Sequence, residues 1–326
     1  MEPYYQADKA AGLIDYDDAV FMFQNLSIKL NEINYYYGAK VSLQNSADTG
    51  QTITIAPSHD LMTPPRARGT VALRARRRDA VSVLDSLRMS GSLKVLFPRA
   101  RASDGIEALL VNTAGGITGG DRFALSATAG PGTQLTLTTQ AAERAYGAQP
   151  GETGRVINRL SVSEDAQLNW LPQETILFEN SCVRRDMKVD LHETARFMFV
   201  ESLVLGRVAM GETLHNAAFH DRVEIRRAGA LIFADAMALR GDVSAHMAQA
   251  AGGAGALASV ILAAPNAEAL LTPVRAVLNP TSGASLLAPD LLHLRLLAPD
   301  GFGLRQTLLP ALRLLSHGPL PRTWMI

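Results

Sequence analysis

The sequence predicts a mainly β protein, a large multi-sheet architecture with about two α-helices toward its C-terminus. Three observations carry this. From Thr70 onward apolar residues recur with period two over short stretches, and Gly- and Pro-rich turns separate those stretches. The clearest helical spacing, Leu304, Leu308, Leu312 and Leu315, comes only near the end and stops at His317-Gly318-Pro319. Short strands with frequent turns also argue against alternating βα units.

Val71, Leu73 and Ala75 alternate with Arg74, Arg76 and Arg78, as in a strand with one buried and one wet face. Ser92 to Phe97 and Glu107 to Val111 are further strand candidates, the second leading into the loop Asn112 to Asp121, NTAGGITGGD. Phe123, Leu125 and Ala127 alternate out of that loop, so it joins two predicted strands. Gly130-Pro131-Gly132 is a turn before Gln134 to Thr139. Strand patterns continue over Val156 to Val162, Gln167 to Trp170, Val183 to Leu191 and Arg196 to Leu205. Val223 to Ile225 and Leu231 to Phe233 flank Ala228-Gly229-Ala230 as a hairpin. Ser259 to Leu262 and Leu286 to Leu297 read as strands, and Asn266 is placed to cap a helix toward Leu278 that contains Pro273. No repeat of fixed period is apparent.

With 326 residues, 47% of them hydrophobic, the chain can bury a sizeable core. Its 31 basic and 31 acidic residues cancel, so no overall field draws it to nucleic acid or an anionic membrane. Cys182 is the only cysteine, which excludes an internal disulfide and a multi-cysteine zinc site and fits a reduced, cytoplasmic setting. No apolar run approaches the roughly 20 residues of a spanning helix, and MEPYYQADK lacks a secretory n-region and h-region. The first 65 residues contain none of the 26 arginines but six of the seven tyrosines. That shift, with Pro64-Pro65, predicts two parts: 1–65, an appended and poorly ordered extension, and 66–326, the main domain. Within the extension, Ala19 to Ile33 is a candidate helix and Gln51 to Ile55 a candidate strand.

Gly115, Gly116, Gly119 and Gly120 suggest a shaped loop, since glycine allows positive φ and close approach. The loop matches no nucleotide cradle: Asp121 and Arg122 follow Gly120 where a phosphate loop needs Lys-Ser/Thr, and GGxxGG before a strand is not the dinucleotide spacing. His215 and His220 are too far apart in sequence for a helical zinc pair, and no local signature makes Cys182 a nucleophile. A hydrolase triad cannot be assembled from these motifs. The acids are more informative. Asp121 closes the glycine loop, Glu174 and Glu179 flank Ile176 to Phe178, Glu201 lies inside an apolar run, and Glu212 follows Gly211. A carboxylate among strand apolars needs a cation or water, and Arg207 is the nearby partner for Glu201.

Five blocks in order, NTAGGITGGDRF (Asn112 to Phe123), TTQAAERAY (Thr138 to Tyr146), LPQETILFENS (Leu171 to Ser181), ESLVLGRVAMGE (Glu201 to Glu212) and PRTW (Pro321 to Trp324), resemble the signatures of the urease accessory protein family UreD, also called UreH. The resemblance spans Arg66 to Ile326. Two positions depart from the family pattern: Gly147, where an arginine is usual, and Thr323, where isoleucine is more frequent. The resemblance implies a β-helix-like fold with two helices and a maturation factor rather than an enzyme. It also implies a complex with UreF and the GTPase UreG on urease apoprotein, with UreE as nickel donor and no permanently bound cofactor. Family members are held to offer nickel an internal route. Loose carboxylates suit an ion in transit, because it must be admitted and released. On this basis Asp121, Glu201 and Glu212 are candidate acids of a transient nickel path. The competing expectation is a docking scaffold between UreF and urease, with no metal passing through.

Overall fold

A computed structural model describes residues 39–44, 52–57, 65–98, 105–316 and 318–325. The chain clusters into two units, Met1–Arg66 with Thr113–Gly115, and Ala67–Asn112 with Gly116–Ile326. In the first, β1 (Ala39–Gln44) and β2 (Thr52–Pro57) pair antiparallel, with Ala39 opposite Pro57. The strand expected over Gln51 to Ile55 falls on β2. The helix expected over Ala19 to Ile33 lies outside the described residues.

The second unit begins with β3 (Arg68–Arg78), β4 (Val81–Gly91), β5 (Leu93–Leu96), β6 (Ile106–Asn112), β7 (Arg122–Ala129), β8 (Gln134–Thr139) and β9 (Glu143–Ala145). It continues through β10 (Gly154–Val162), β11 (Gln167–Leu171), β12 (Thr175–Leu177), β13 (Cys182–Leu191), β14 (Arg196–Leu205), β15 (Ala217–Arg227) and β16 (Ala230–Gly241). Helix α1 (Val243–Ala250), β17 (Ala256–Ala263), α2 (Leu271–Arg275), β18 (Gly283–Ala288), β19 (Leu291–Ala298) and α3 (Gly301–Leu315) complete it. Mainly β is therefore correct, with the helices toward the C-terminus.

Two sheets form by coiling. The seven-stranded sheet runs β16-β15-β13-β10-β7-β3-β4, and the ten-stranded sheet runs β18-β19-β17-β14-β11-β8-β6-β5 with β12 attached at β14 and β9 at β12. Successive strands alternate between sheets: β7, β10 and β13 enter the first and β8, β11 and β14 the second, each parallel to the next within its sheet. This is the β-solenoid-like arrangement that the family resemblance implied. Short turns stack from coil to coil, where Gln167 N–H donates to Thr133 O at 2.7 Å and Arg196 N–H to Ala166 O at 2.9 Å. The coils begin at Arg122, Gly154 and Cys182, at unequal intervals, so the stacking left no constant period in the sequence.

Period two became register. Leu73, Ala127, Leu160, Val189, Ile225 and Phe233 align across six strands and point inward, all buried. Opposite them Ala108, Leu137, Trp170, Phe199 and Ile261 align across the other sheet, filling one core between the two. A second core lies where α3 covers the antiparallel end of the ten-stranded sheet, and there Leu304, Leu308, Leu312 and Leu315 are all buried. Asp300 caps this helix by accepting Gly303 N–H at 2.7 Å. Trp324 closes the same core, its indole donating to Leu171 O at 2.9 Å.

Some expectations need correcting. Asn266 precedes the helical turn with φ 62°, but its side chain makes no capping bond. The segment Leu286 to Leu297 is a hairpin of β18 and β19, not one strand. Helix α1 had no periodic pattern, because only Val243 and Met247 of its eight residues are buried.

Candidate functional site: an inter-sheet cavity with a buried ion triad

The glycine loop leaves β6 in one sheet and enters β7 in the other, so it is a corner of the solenoid. Ile117 bridges to Ala145, its N–H donating to Arg144 O at 2.7 Å while Tyr146 N–H donates back to Ile117 O at 2.8 Å. Gly115 and Gly120 have φ of 80° and 83°, left-handed values that side chains resist. At Gly116 an added Cβ would sit 2.3 Å from the Tyr146 ring and 2.6 Å from Arg144 O. Gly116→Ala should therefore cost about 1–3 kcal/mol, an overpacking penalty that urea denaturation would register. A wild-type unfolding midpoint would show that the corner tolerates the extra carbon.

Asp121 is 1% exposed and closes this corner. One carboxylate oxygen accepts Ala67 N–H at 2.7 Å and the other accepts Thr118 N–H at 2.9 Å. Its carbonyl accepts Arg155 N–H at 2.8 Å from the next coil. Asp121 thus ties three chain segments together, its carboxylate and its carbonyl both accepting from backbone donors. Glu143 lies nearby on β9 and accepts Asn112 Nδ2 at 3.2 Å, while the same amide donates to Gly116 O at 2.9 Å. Burial pushes the Glu143 pKa up to about 7, against the lowering effect of the Asn112 hydrogen bond. Sequence reasoning passed over Glu143.

Glu212 clamps the loop after β14. Its carboxylate takes Arg207 Nε and backbone N–H, each at 2.9 Å on one oxygen, and Arg207 Nη2 at 2.9 Å and Glu179 N–H at 3.2 Å on the other. The Arg207 hydrogen bond holds its pKa down at about 2. Arg207 also lies over the Phe178 ring at 4.3 Å. Arg207 is therefore the partner of Glu212, and the expected Arg207–Glu201 pair does not form. Gly206, with φ 79°, turns the chain out of the strand before Arg207.

The cation facing Glu201 is Arg185, which reaches across the core from β13. Its Nη1 pairs with Glu201 Oε2, while its Nε and Nη2 grip Asp221 on the neighbouring β15 at 3.0 and 2.7 Å. Trp170 Nε1 donates to Glu201 Oε1 at 2.9 Å. All three charged groups are buried, so two carboxylates share one guanidinium in a medium that penalises net charge. Burial pushes the Glu201 pKa up to about 7, Arg185 and Trp170 opposing it and Asp221 adding to it. Burial works against the Arg185 charge, but Asp221 and Glu201 together hold its pKa above the ordinary arginine value.

This triad is the inner end of a cavity between the sheets, about 380 Å³ including the space open to solvent. Its polar lining is Arg185, Glu201, Asp221, Asp235, Ser259 and Arg295, with Phe199, Phe233 and Met237 among the apolar walls. Arg295 on β19 reaches Asp235 on β16 at 2.5 Å, an ion pair between sheets that is more exposed than the triad. Of the acids expected together, only Glu201 lines this cavity; Asp121 belongs to the corner and Glu212 to the loop. Among the described residues no group of three or more His, Cys, Asp or Glu is arranged to hold a metal ion. Arg185, Asp221, Asp235 and Arg295 were not expected. A signal existed for two of them: Arg185 and Asp221 occupy inward positions in strands whose other inward residues are apolar.

With this geometry in view, the sequence comparisons decide the family. The family model described as UreD urease accessory protein matches residues 67–325. The chain belongs to that family. It is 53% identical over 274 residues to the urease accessory protein UreD of Ruegeria sp. (strain TM1040), covering 81% of this chain and 92% of that protein. Identity to the UreD protein of Ruegeria pomeroyi is 54% over 247 residues, 75% of this chain and 96% of the relative. For that of Roseobacter denitrificans it is 46% over 264 residues, 80% and 96% respectively. UreD relatives are named as accessory proteins, not as enzymes. Among the described residues of this member, no helix is long and apolar enough to cross a membrane.

Proposed function

We propose that the chain is a non-catalytic urease maturation factor working in the cytoplasm. In this reading it joins UreF and UreG on urease apoprotein and assists GTP-dependent nickel insertion, with UreE as donor and nickel as cargo rather than cofactor. Residues 66–326 carry the activity, and 1–65 are an appended extension. The observation that carries the reading is the inter-sheet cavity, whose inner end holds two carboxylates against one arginine. An ion passing through needs oxygen ligands that hold it briefly, and a carboxylate with a pKa near 7 exchanges proton for cation at modest cost. Glu201 is the acid proposed on that path. Asp121, held by backbone N–H donors, and Glu212, held by backbone and Arg207 donors, are proposed to keep the corner and the loop outside this cavity in shape.

The test is nickel delivery to purified urease apoprotein with UreF, UreG, UreE and GTP, comparing wild type with Glu201→Gln. Complex formation should be unchanged while urease activation falls by about tenfold, the scale of a disturbed metal-binding group. Equal activation with equal complex formation would instead support the docking scaffold, in which the cavity charges only fasten the two sheets.

A further inference from the structure

The outer face of the seven-stranded sheet carries a feature that neither the cavity nor the glycine corner accounts for. Arg68 on β3 is in register with Arg122 on β7, Arg122 with Arg155 on β10, and Arg155 with Arg184 on β13. Four arginines thus stand in one row across four adjacent strands, all exposed and on the wet face. Strands lie about 4.8 Å apart, so like charges are stacked directly opposite one another, an arrangement that destabilises a sheet. Arg184 is relieved by Asp186 two residues along its own strand, at 3.0 Å. Among the described residues no carboxylate pairs with Arg68, Arg122 or Arg155. The rest of the chain offsets this charge, since the total is zero.

We infer that this row is a docking surface for a protein partner presenting a strip of carboxylates, an inference that rests on the chain acting in a maturation complex. The composition of the face favours an acidic protein over a polyphosphate. Beside the row stands Ile157, 39% exposed, and the neighbouring rungs of the same face mix Asp186 and Glu224 with Arg159, Lys188 and Arg222. Asp186 and Glu224 are paired with Arg184 and Arg222, so the row is flanked by ion pairs of both signs rather than by a uniformly basic surface of the kind a phosphate backbone follows. An exposed apolar side chain among arginines, with both charge signs around it, is the make-up of a protein interface. Bidentate arginine–carboxylate pairing at regular strand spacing would give the contact direction and register as well as attraction.

The test measures equilibrium binding of the full chain to purified UreF and to purified urease apoprotein at about 50 and about 200 mM salt, conditions that shorten the screening length about twofold. The variants are Arg122→Glu/Arg155→Glu and the neutral Arg122→Gln/Arg155→Gln. For at least one of the two proteins, the charge reversal should weaken binding by about tenfold or more at low salt, with the neutral variant between, and added salt should erase most of the difference. The neutral variant should also unfold at the same temperature as wild type or higher, because stacked like charges are removed, so weaker binding cannot be put down to misfolding. Unchanged affinity of all variants for both proteins overturns the assignment. So does salt- and arginine-dependent binding seen only with a short DNA duplex or with phosphatidylglycerol vesicles. Urease activation by wild type reports separately on the maturation reading, so a chain that fails to activate yet binds through the row sinks that reading and keeps the surface.

Discussion

Arg185→Ala should destabilise the protein by about 3–5 kcal/mol near pH 8, the scale of a broken buried ion pair. Among the described residues the guanidinium is the one group that pairs with both Glu201 and Asp221, and its removal leaves two carboxylates facing each other in the core. The loss should shrink near pH 5, because a carboxylate whose pKa already stands near 7 takes up a proton more readily than it remains an unpaired anion. Urea denaturation at both pH values measures the difference. Replacing the whole triad tests the cause: Arg185→Met with Glu201→Gln and Asp221→Leu removes every charge while keeping bulk, and should recover most of the stability. A triple variant as unstable as the single one would mean that packing around Arg185, including its approach to the Phe219 ring at 5.4 Å, dominates over charge.

The contrast between Arg207 and Arg185 shows where the sequence stops being legible. Glu201 was readable as an acid in an apolar strand, so its need for a cation followed from desolvation alone. Arg207 was the near choice along the chain. The true partner comes from the opposite sheet, because coiling places β13 and β14 across the core from each other, and nothing local encodes which coil meets which. What local chemistry does encode came through well. Alternation located β3, β7, β10 and β13, an apolar run located β14, glycines located the corner, and leucine spacing located α3. The elements missed lack those signals. β4 is an edge strand exposed on both faces, so it shows no alternation, and β9 and β12 are three-residue strands formed only because coils stack at a corner. The arginine row was hidden for the same reason. Arg68, Arg122, Arg155 and Arg184 are ordinary exposed residues in sequence, and only the parallel register makes them neighbours.

Raising the pH from about 5 to about 8 should cost the wild type up to about 3 kcal/mol through Glu201 alone, and Glu201→Gln should remove that slope. The sign follows from the direction of the shift. Burial lifts the folded-state pKa from its ordinary value of 4.5 to about 7, so the native state binds the proton more tightly than the unfolded chain does. The associated stability is fully present below about 4.5 and is lost as pH rises through 7. Glu143, raised to about 7 in the same way, adds to the slope and persists in the variant. Glu212 does not contribute in this window: Arg207 lowers its pKa to about 2, so its stabilisation is present above 4.5 and lost only as pH falls toward 2. Denaturation curves collected between these limits should therefore show Glu201→Gln near wild type at pH 5 and more stable than wild type at pH 8. Parallel curves would mean that Arg185 keeps Glu201 ionised throughout, and the proton-for-cation exchange proposed for the cavity would then have no proton to give.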